Sequence, residues 1–394
     1  MTSEPIASAQ LPIGQFEERA GIIDLAWGHP DPDLVPVEPI RRAAARALER
    51  YGPEALAYGS PAGPGPLIEF IRSRVADTDA RMPAADEVLV TGGSSAALDQ
   101  VATMLADPGD VVLVESPTYH LAIRIFQDHP VRLVSIPTDA DGVDPDATLQ
   151  TIRGIRAAGG RPRLLYTVPT FHNPTGRSLA DARRADLVQL AESEGVTIVE
   201  DDAYRELTYD GAAPSSLWGM GGAAGVVVRL GTYAKSIAPG LRVGFVTAAP
   251  QTIARFVQGG MLDSGGGANP FVGLVVAEYA DAGDYARHVD LLRAAYRERR
   301  DGMLRSLAAS MPRETRWTTP AGGYFCWVTL PPGLDAARLL PLAEQAGMSF
   351  VPGTTFHVDG AGGSDSLRMA FSRYPPALIE EAISRLAKAI RAAA

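Results

Sequence analysis

A chain of 394 residues, 46% hydrophobic and 21% charged, has ordinary globular composition and enough apolar material for one large domain or two ordinary ones. Its formal net charge of −10 argues against a surface for nucleic acid or anionic lipid. A single cysteine, Cys326, excludes an intramolecular disulfide and a cysteine-rich metal site; without a leader-like segment or an apolar run near the ~20 residues of a membrane span, a cytoplasmic protein is expected.

Short runs rich in Val, Ile and Leu recur at 87–90, 111–115, 131–136, 164–168, 196–200, 226–230 and 243–247. Several lack polar alternation, as strands covered on both faces do. Helical patterns lie between them, at 96–105 and at 181–194, the second with Ser178 as a possible cap. The alternation predicts an α/β domain over residues 45–285, with a mostly parallel seven-stranded sheet sandwiched by helices. Glycine-rich 259–267 and 360–363 read as flexible connections. Beyond the sheet, 285–309 reads as a long amphipathic helix, 323–330, 348–351 and 366–371 as strands, and 376–393 as a closing helix. Residues 286–394 thus form a smaller α+β domain, with Cys326 in its core.

Polar clusters follow several strand runs: Gly92-Gly93-Ser94-Ser95, Asn173-Pro174-Thr175-Gly176 and Asp201-Asp202-Ala203-Tyr204. Ligands collect past the carboxyl ends of strands in open α/β sheets. Lys235 lies between the last two runs, with Thr232 three residues before it and Arg242 seven after. That spacing surrounds one amine with anion-binding groups, which suits a lysine forming a Schiff base with an aldehyde cofactor that carries a phosphate. Ser94 and Ser95 open a helix and would present free backbone N–H groups to the same anion, although serine caps helices without any ligand. The histidines show no metal-ligand spacing and no metal is expected.

With these segments in place, the chain resembles the fold-type I pyridoxal-phosphate enzymes of the class I/II aminotransferase group, nearest its 2-aminoadipate and kynurenine aminotransferase branch. The matching motifs run in family order: Ala57-Tyr58-Gly59-Ser60-Pro61, Thr91-Gly92-Gly93-Ser94-Ser95, Glu115-Ser116-Pro117-Thr118-Tyr119, His172-Asn173-Pro174-Thr175-Gly176, Glu200-Asp201-Asp202-Ala203-Tyr204, the Lys235 segment and Ser366-Leu367-Arg368-Met369. The resemblance implies pyridoxal 5'-phosphate as cofactor, amino transfer between an α-amino acid and a 2-keto acid, and a homodimer with shared active sites. It adds residues 1–44 as an N-terminal arm and part of the small domain.

By the same resemblance Asp201 pairs with the pyridine nitrogen, and strand alternation would send the neighbouring Asp202 the other way. Tyr204 and Asn173 match the groups that hydrogen-bond the phenolic oxygen, though Asn173 also fits a turn residue before proline. Tyr119 matches the aromatic stacked on the pyridine ring, Tyr58 a tyrosine reaching the partner's phosphate, and Arg368 the clamp on the substrate carboxylate. Arg205, Arg229 and Arg373 read as structural or surface residues. Gly28 lies where the family offers small backbone to the substrate, but Trp27 and His29 flank it and either reshape the pocket or point into the core. The 259–267 loop has no arginine for a second substrate carboxylate, which favours an apolar, aromatic or specialised amino donor. Elimination, decarboxylation or oxidative deamination of a specialised amino acid is the alternative chemistry. A regulator with an aminotransferase-like domain is a further one, but the pattern begins near residue 25, so a DNA-binding domain ahead of it is not expected.

Overall fold

The structure is a computed structural model that describes residues 15, 17–79, 81–221 and 225–393; the rest of the expected N-terminal arm, residues 1–14 and 16, lies outside the described residues. A short strand β1 (Ile23–Asp24) precedes helices α1 (Val37–Tyr51) and α2 (Gly65–Thr78). Then come β2 (Val88–Thr91), α3 (Ser94–Leu105), β3 (Val111–Ser116), α4 (His120–Gln127), β4 (Arg132–Asp139), β5 (Gly142–Val143), α5 (Pro145–Ala157), β6 (Pro162–Thr167) and α6 (Asp181–Glu194). The sheet region closes with β7 (Thr197–Asp201), α7 (Leu217–Met220), β8 (Val227–Thr232), β9 (Gly244–Thr247), α8 (Pro250–Val257), α9 (Gly260–Gly265) and α10 (Pro270–Asp281).

The large sheet has the order β2-β9-β8-β7-β6-β3-β4-β5. Neighbours from β8 to β4 are parallel, while β9 runs antiparallel to both β8 and β2. All seven expected strands form, and the two-residue β5 adds an eighth at the edge as a hairpin with β4. Each sheet face has its own apolar cluster. Val90, Leu113, Leu165 and Ile198 point to one, Leu89, Val112, Leu164, Val199 and Val228 to the other, and all are buried. Period-2 alternation in a strand explains this split, and two covered faces explain why the runs are apolar throughout.

The 27-residue helix α11 (Asp284–Ser310) follows, and its buried side chains join two cores: Tyr285 and Val289 meet the sheet cluster, while Leu292, Tyr296, Met303 and Leu307 meet a third. That third core is completed by β10 (Arg316–Trp317), β11 (Phe325–Thr329), α12 (Ala336–Gln345), β12 (Met348–Ser349), β13 (Val351–Pro352), β14 (Ser366–Ala370) and α13 (Pro376–Ala393). β10, β11, β14 and β13 form an antiparallel sheet; β1 pairs in parallel with β12, so the chain's early segment is knitted to its late one. Cys326 is buried here, as expected. Helix α1 runs continuously through residue 44, with Ala43 and Ala47 in the core of the sheet region.

Two local expectations are corrected. Ser178 does not cap α6; its Oγ accepts from the Phe171 N–H at 3.1 Å, and Ala180 stands at the cap with no side-chain bond. The glycine-rich 259–267 segment is not merely a connection, since α9 forms within it. Gly266 (φ +67) and Gly267 (φ +89) then pass so close to Gly59 and Ser60 that a Cβ at either would overlap their backbones. Among the described residues no helix is long and apolar enough to cross a membrane.

Candidate active site

The carboxyl ends of β2, β3, β6, β7 and β8 lie along one edge of the large sheet, because these strands are mutually parallel or joined through the antiparallel β9. Each carries one of the expected clusters, so topology collects residues that sequence leaves up to 150 positions apart. Residues 26–29 and β14 approach the same edge from the other core.

Lys235 sits in the turn after β8, half-buried, with Nζ 3.3 Å from the carbonyl oxygen of Gly28 and 5.6 Å from the centre of the Tyr324 ring. Burial lowers its ammonium to about 8; Asp201 opposes the shift, and Arg368 and Arg242 add to it. Below it, at the end of β7, Asp201 is buried with Oδ2 accepting from the Tyr166 hydroxyl at 2.8 Å, while Oδ1 has no hydrogen-bond partner. Burial lifts this carboxyl to about 6, against the Tyr166 hydrogen bond, with Asp202 adding to the rise. Asp202 turns away into an ionic network. Its Oδ2 meets Arg205 and, at 2.8 Å, Arg229, which also pairs with Asp79 at 2.8 Å. Burial alone would raise Asp202, but Arg205 and Arg229 hold it below its ordinary value. The alternation on β7 therefore separates the two aspartates as expected, and Arg205 and Arg229 are buried structural residues.

Arg368, on β14, is fully desolvated. Its Nη1 donates to Asn173 Oδ1 at 2.9 Å and its Nη2 to the carbonyl of Ala26 at 2.5 Å, while Nε has no partner. Phe325 and Phe356 lie against the guanidinium, at 4.3 and 4.8 Å from their ring centres. Burial brings Arg368 down to about 10, and among the described residues no carboxylate forms an ion pair with it. Asn173 also hydrogen-bonds Tyr204, whose hydroxyl burial pushes well up. Tyr119 caps α4, its hydroxyl raised by burial to about 12, with Asp201 adding to the rise.

An anion cradle occupies the near end. Helix α3 starts at Ser94, after Gly93 in a positive-φ conformation (φ +91), so its first N–H groups are open. Arg242, itself left-handed (φ 51), donates from Nη2 to the Gly92 carbonyl at 2.9 Å; a Cβ on Gly93 would meet the guanidinium at 2.7 Å. Thr232 Oγ1 accepts from the Ala234 N–H at 3.1 Å. Tyr58 stands apart from all of these, 87% exposed.

Gly28 packs its α-carbon on Phe325, where a Cβ would lie 2.5 Å from the ring. Trp27 does not point into the core: it is 40% exposed, with its ring 5.4 Å from that of His29. Burial, then Lys235 and Arg373, lowers His29 to about 4. Sequence reasoning missed Tyr166, Tyr324, Phe325 and Phe356, whose only signal was apolar burial, which core residues share.

The residues present fit pyridoxal phosphate on their own chemistry. A buried carboxylate oxygen without a partner suits a protonated ring nitrogen, a helix start beside Arg242 suits a phosphate, and a lysine amine depressed toward neutrality suits an aldehyde. Residues 20–386 match the family described as aminotransferase class I and II. Aromatic-amino-acid aminotransferase 1 of Thermococcus litoralis is 35% identical, over 95% of this chain and 89% of that protein. The 2-aminoadipate transaminase of Thermus thermophilus is 36% identical, over 98% and 94%. A crystal structure of Pyrococcus horikoshii kynurenine aminotransferase, in complex with PMP, superimposes with a TM-score of 0.89 at 34% identity, covering 95% of this chain and 92% of that one.

The chain belongs to the class I and II aminotransferase family. It is a fold-type I enzyme that uses pyridoxal phosphate to transfer amino groups between an α-amino acid and a 2-keto acid.

Proposed function

We propose that Lys235, Asp201 and Arg368 carry this transfer, and that the amino donor has an apolar or aromatic side chain. The observation that carries the reading is the desolvated Lys235 amine, lowered to about 8 and flanked by an Arg368 whose Nε has no partner and a half-satisfied Asp201. Bound pyridoxal phosphate would act as an electron sink for the charge left at Cα when its proton departs. Arg368 receives the substrate α-carboxylate through its open Nε edge and orients the Cα–H bond; Lys235, as a free amine, takes the proton and returns it. Asp201 holds a proton at the ring nitrogen. Ser94, Ser95, Thr232 and Arg242 hold the phosphate, Asn173 and Tyr204 the phenolic oxygen, and Tyr119 covers the ring. Gly28 keeps the substrate side of the site small.

The donor class rests on Trp27, His29 and the absence of arginine from 259–267. The active unit is a homodimer in this reading. Tyr58, Leu56 (71% exposed) and Met261 (72% exposed) are large exposed side chains on segments joined where Gly266 and Gly267 pack on Gly59 and Ser60, and a second copy would cover them, bringing Tyr58 to its partner's phosphate. The chain divides into a large cofactor-binding unit over 45–285, which also takes in the start of α1 with Ala43 in its core, and a small unit from 286–394 with the residues before α1, and a cytoplasmic location accords with its one thiol.

A mass-spectrometric screen of amino acids against the cofactor-loaded enzyme, with and without a keto acid, tests the reading. Aromatic or aliphatic donors should convert stoichiometrically alone and turn over only with a keto acid. Sustained turnover without a keto acid, or preference for acidic donors, would overturn it.

A further inference from the structure

Asn173 joins Arg368 to Tyr204, so its placement sets both, and the structure shows what places it. The loop between β6 and α6 turns through Phe171 in the left-handed region (φ 51), a costly conformation for a residue with a side chain. Two backbone bonds close it, from His172 N–H to the Arg177 carbonyl at 2.7 Å and from Gly176 N–H to the His172 carbonyl at 2.6 Å. At its centre is the buried His172 ring. Nδ1 lies 2.8 Å from Thr175 Oγ1, and Nε2 lies 3.2 Å from Glu115 Oε2, within ion-pair distance although not aligned for a hydrogen bond.

Glu115 is buried near the end of β3, four residues before Tyr119. Its Oε1 accepts from Thr167 Oγ1 at 2.7 Å and its Oε2 from the Val168 N–H at 2.8 Å, both at the start of the Asn173 loop. One carboxylate thus ties the strand that leads to Tyr119 to the loop that carries Asn173. A cavity of about 230 Å³, lined in part by Glu115, His172, Thr175 and Trp327, opens beside the pair. A truncated side chain there has room for water rather than a collapsing core.

We propose that Glu115 and His172 are positioning residues for the carboxylate clamp: acting through Asn173, they fix the direction in which Arg368 presents its guanidinium. This rests on the assignment of Arg368 to the substrate carboxylate, and it adds two residues that touch neither substrate nor cofactor. A carboxylate held by a misdirected fork loses one of two parallel hydrogen bonds, and displacements of ~1 Å at such contacts can cost on the order of 100-fold.

The test uses His172→Leu, His172→Gln and Glu115→Gln in the full, cofactor-loaded chain, with 3-phenylpropanoate as a carboxylate probe that has no amino group. Binding is read from the visible absorption of the cofactor and, independently, from tryptophan fluorescence. His172→Leu and Glu115→Gln should weaken the probe about tenfold, raise the KM for the amino donor more than they lower kcat, and shift the pH midpoint of the visible band. His172→Gln, which keeps a donor, should recover most of the affinity. Wild-type affinity and midpoint in both, with or without a fall in melting temperature, would overturn the proposal. If His172→Leu does not fold, Glu115→Gln decides alone. Failure of the parent assignment reads differently: Arg368→Met would then bind the probe as wild type does.

Discussion

Tyr166 donates its hydroxyl hydrogen to Oδ2 of Asp201 at 2.8 Å, and the other oxygen of that carboxylate is left buried and unpartnered. One oxygen is thereby fixed and the other kept open toward the site. Asp201→Asn should abolish transfer while the protein stays folded. Asp202→Asn breaks a buried ionic network and should cost about 3–5 kcal/mol of stability. Denaturant melts and single-turnover assays on both variants separate the effects; an active Asp201→Asn would reverse the assignment.

With Lys235 reacting as a free amine, as proposed, its depressed value has a kinetic signature. The neutral fraction grows as pH rises through about 8, and the rate at which apoprotein takes up pyridoxal phosphate should climb to that point and level above it. Stopped-flow absorbance from pH 6.5 to 10.5 reads this directly. A midpoint near the ordinary lysine value would show that the amine is not desolvated. Borohydride treatment should then leave the cofactor on the Lys235 peptide.

Arg368 keeps a charge in an apolar clamp without a carboxylate to match it. Its replacement should therefore separate function from stability. Arg368→Met should raise the KM for amino donors on the order of 100-fold, while melting temperature holds or rises, because an unpaired buried charge is removed. A large loss of stability with unchanged KM would make Arg368 structural.

Tyr58 tests the shared site. Tyr58→Phe and Lys235→Ala chains are each impaired in the expected dimer, but a mixed dimer regains one site with both residues intact. Refolding the two together should yield more activity and tighter cofactor binding than either alone. Full cofactor occupancy in a verified monomer would rule the arrangement out.

Much of this was legible in the sequence because the physics there is local. Strands covered on both faces read as apolar runs, and residues just past their ends fall at the ligand edge whatever the loop lengths, which is why Lys235, Asp201 and Asn173 could be named. Arg368 needed the family pattern, since a strand arginine alone reads as surface. What escaped was set by contacts between distant segments. Tyr166 and Glu115 look like core until the neighbouring strand supplies their partners. Ser178 looked like a cap because capping is a common use of serine, but the backbone at Phe171 needed an acceptor more. Helix α9 formed against glycine propensity because its end packs on the backbone of Gly59 and Ser60.

The pairing of β1 with β12 aligns Ile23 with Met348 and Asp24 with Ser349. During synthesis the ribosome makes the first partner more than three hundred residues before the second, so this ladder cannot close until the chain is nearly finished. The large sheet, whose strands end at Thr247, can assemble while translation continues, but the segment that places Gly28 beside Lys235 must wait. A nascent chain arrested before β12 would then hold the phosphate cradle and the lysine without Arg368 opposite them. On the proposed roles, the half of the site that anchors the cofactor matures before the half that receives the amino acid.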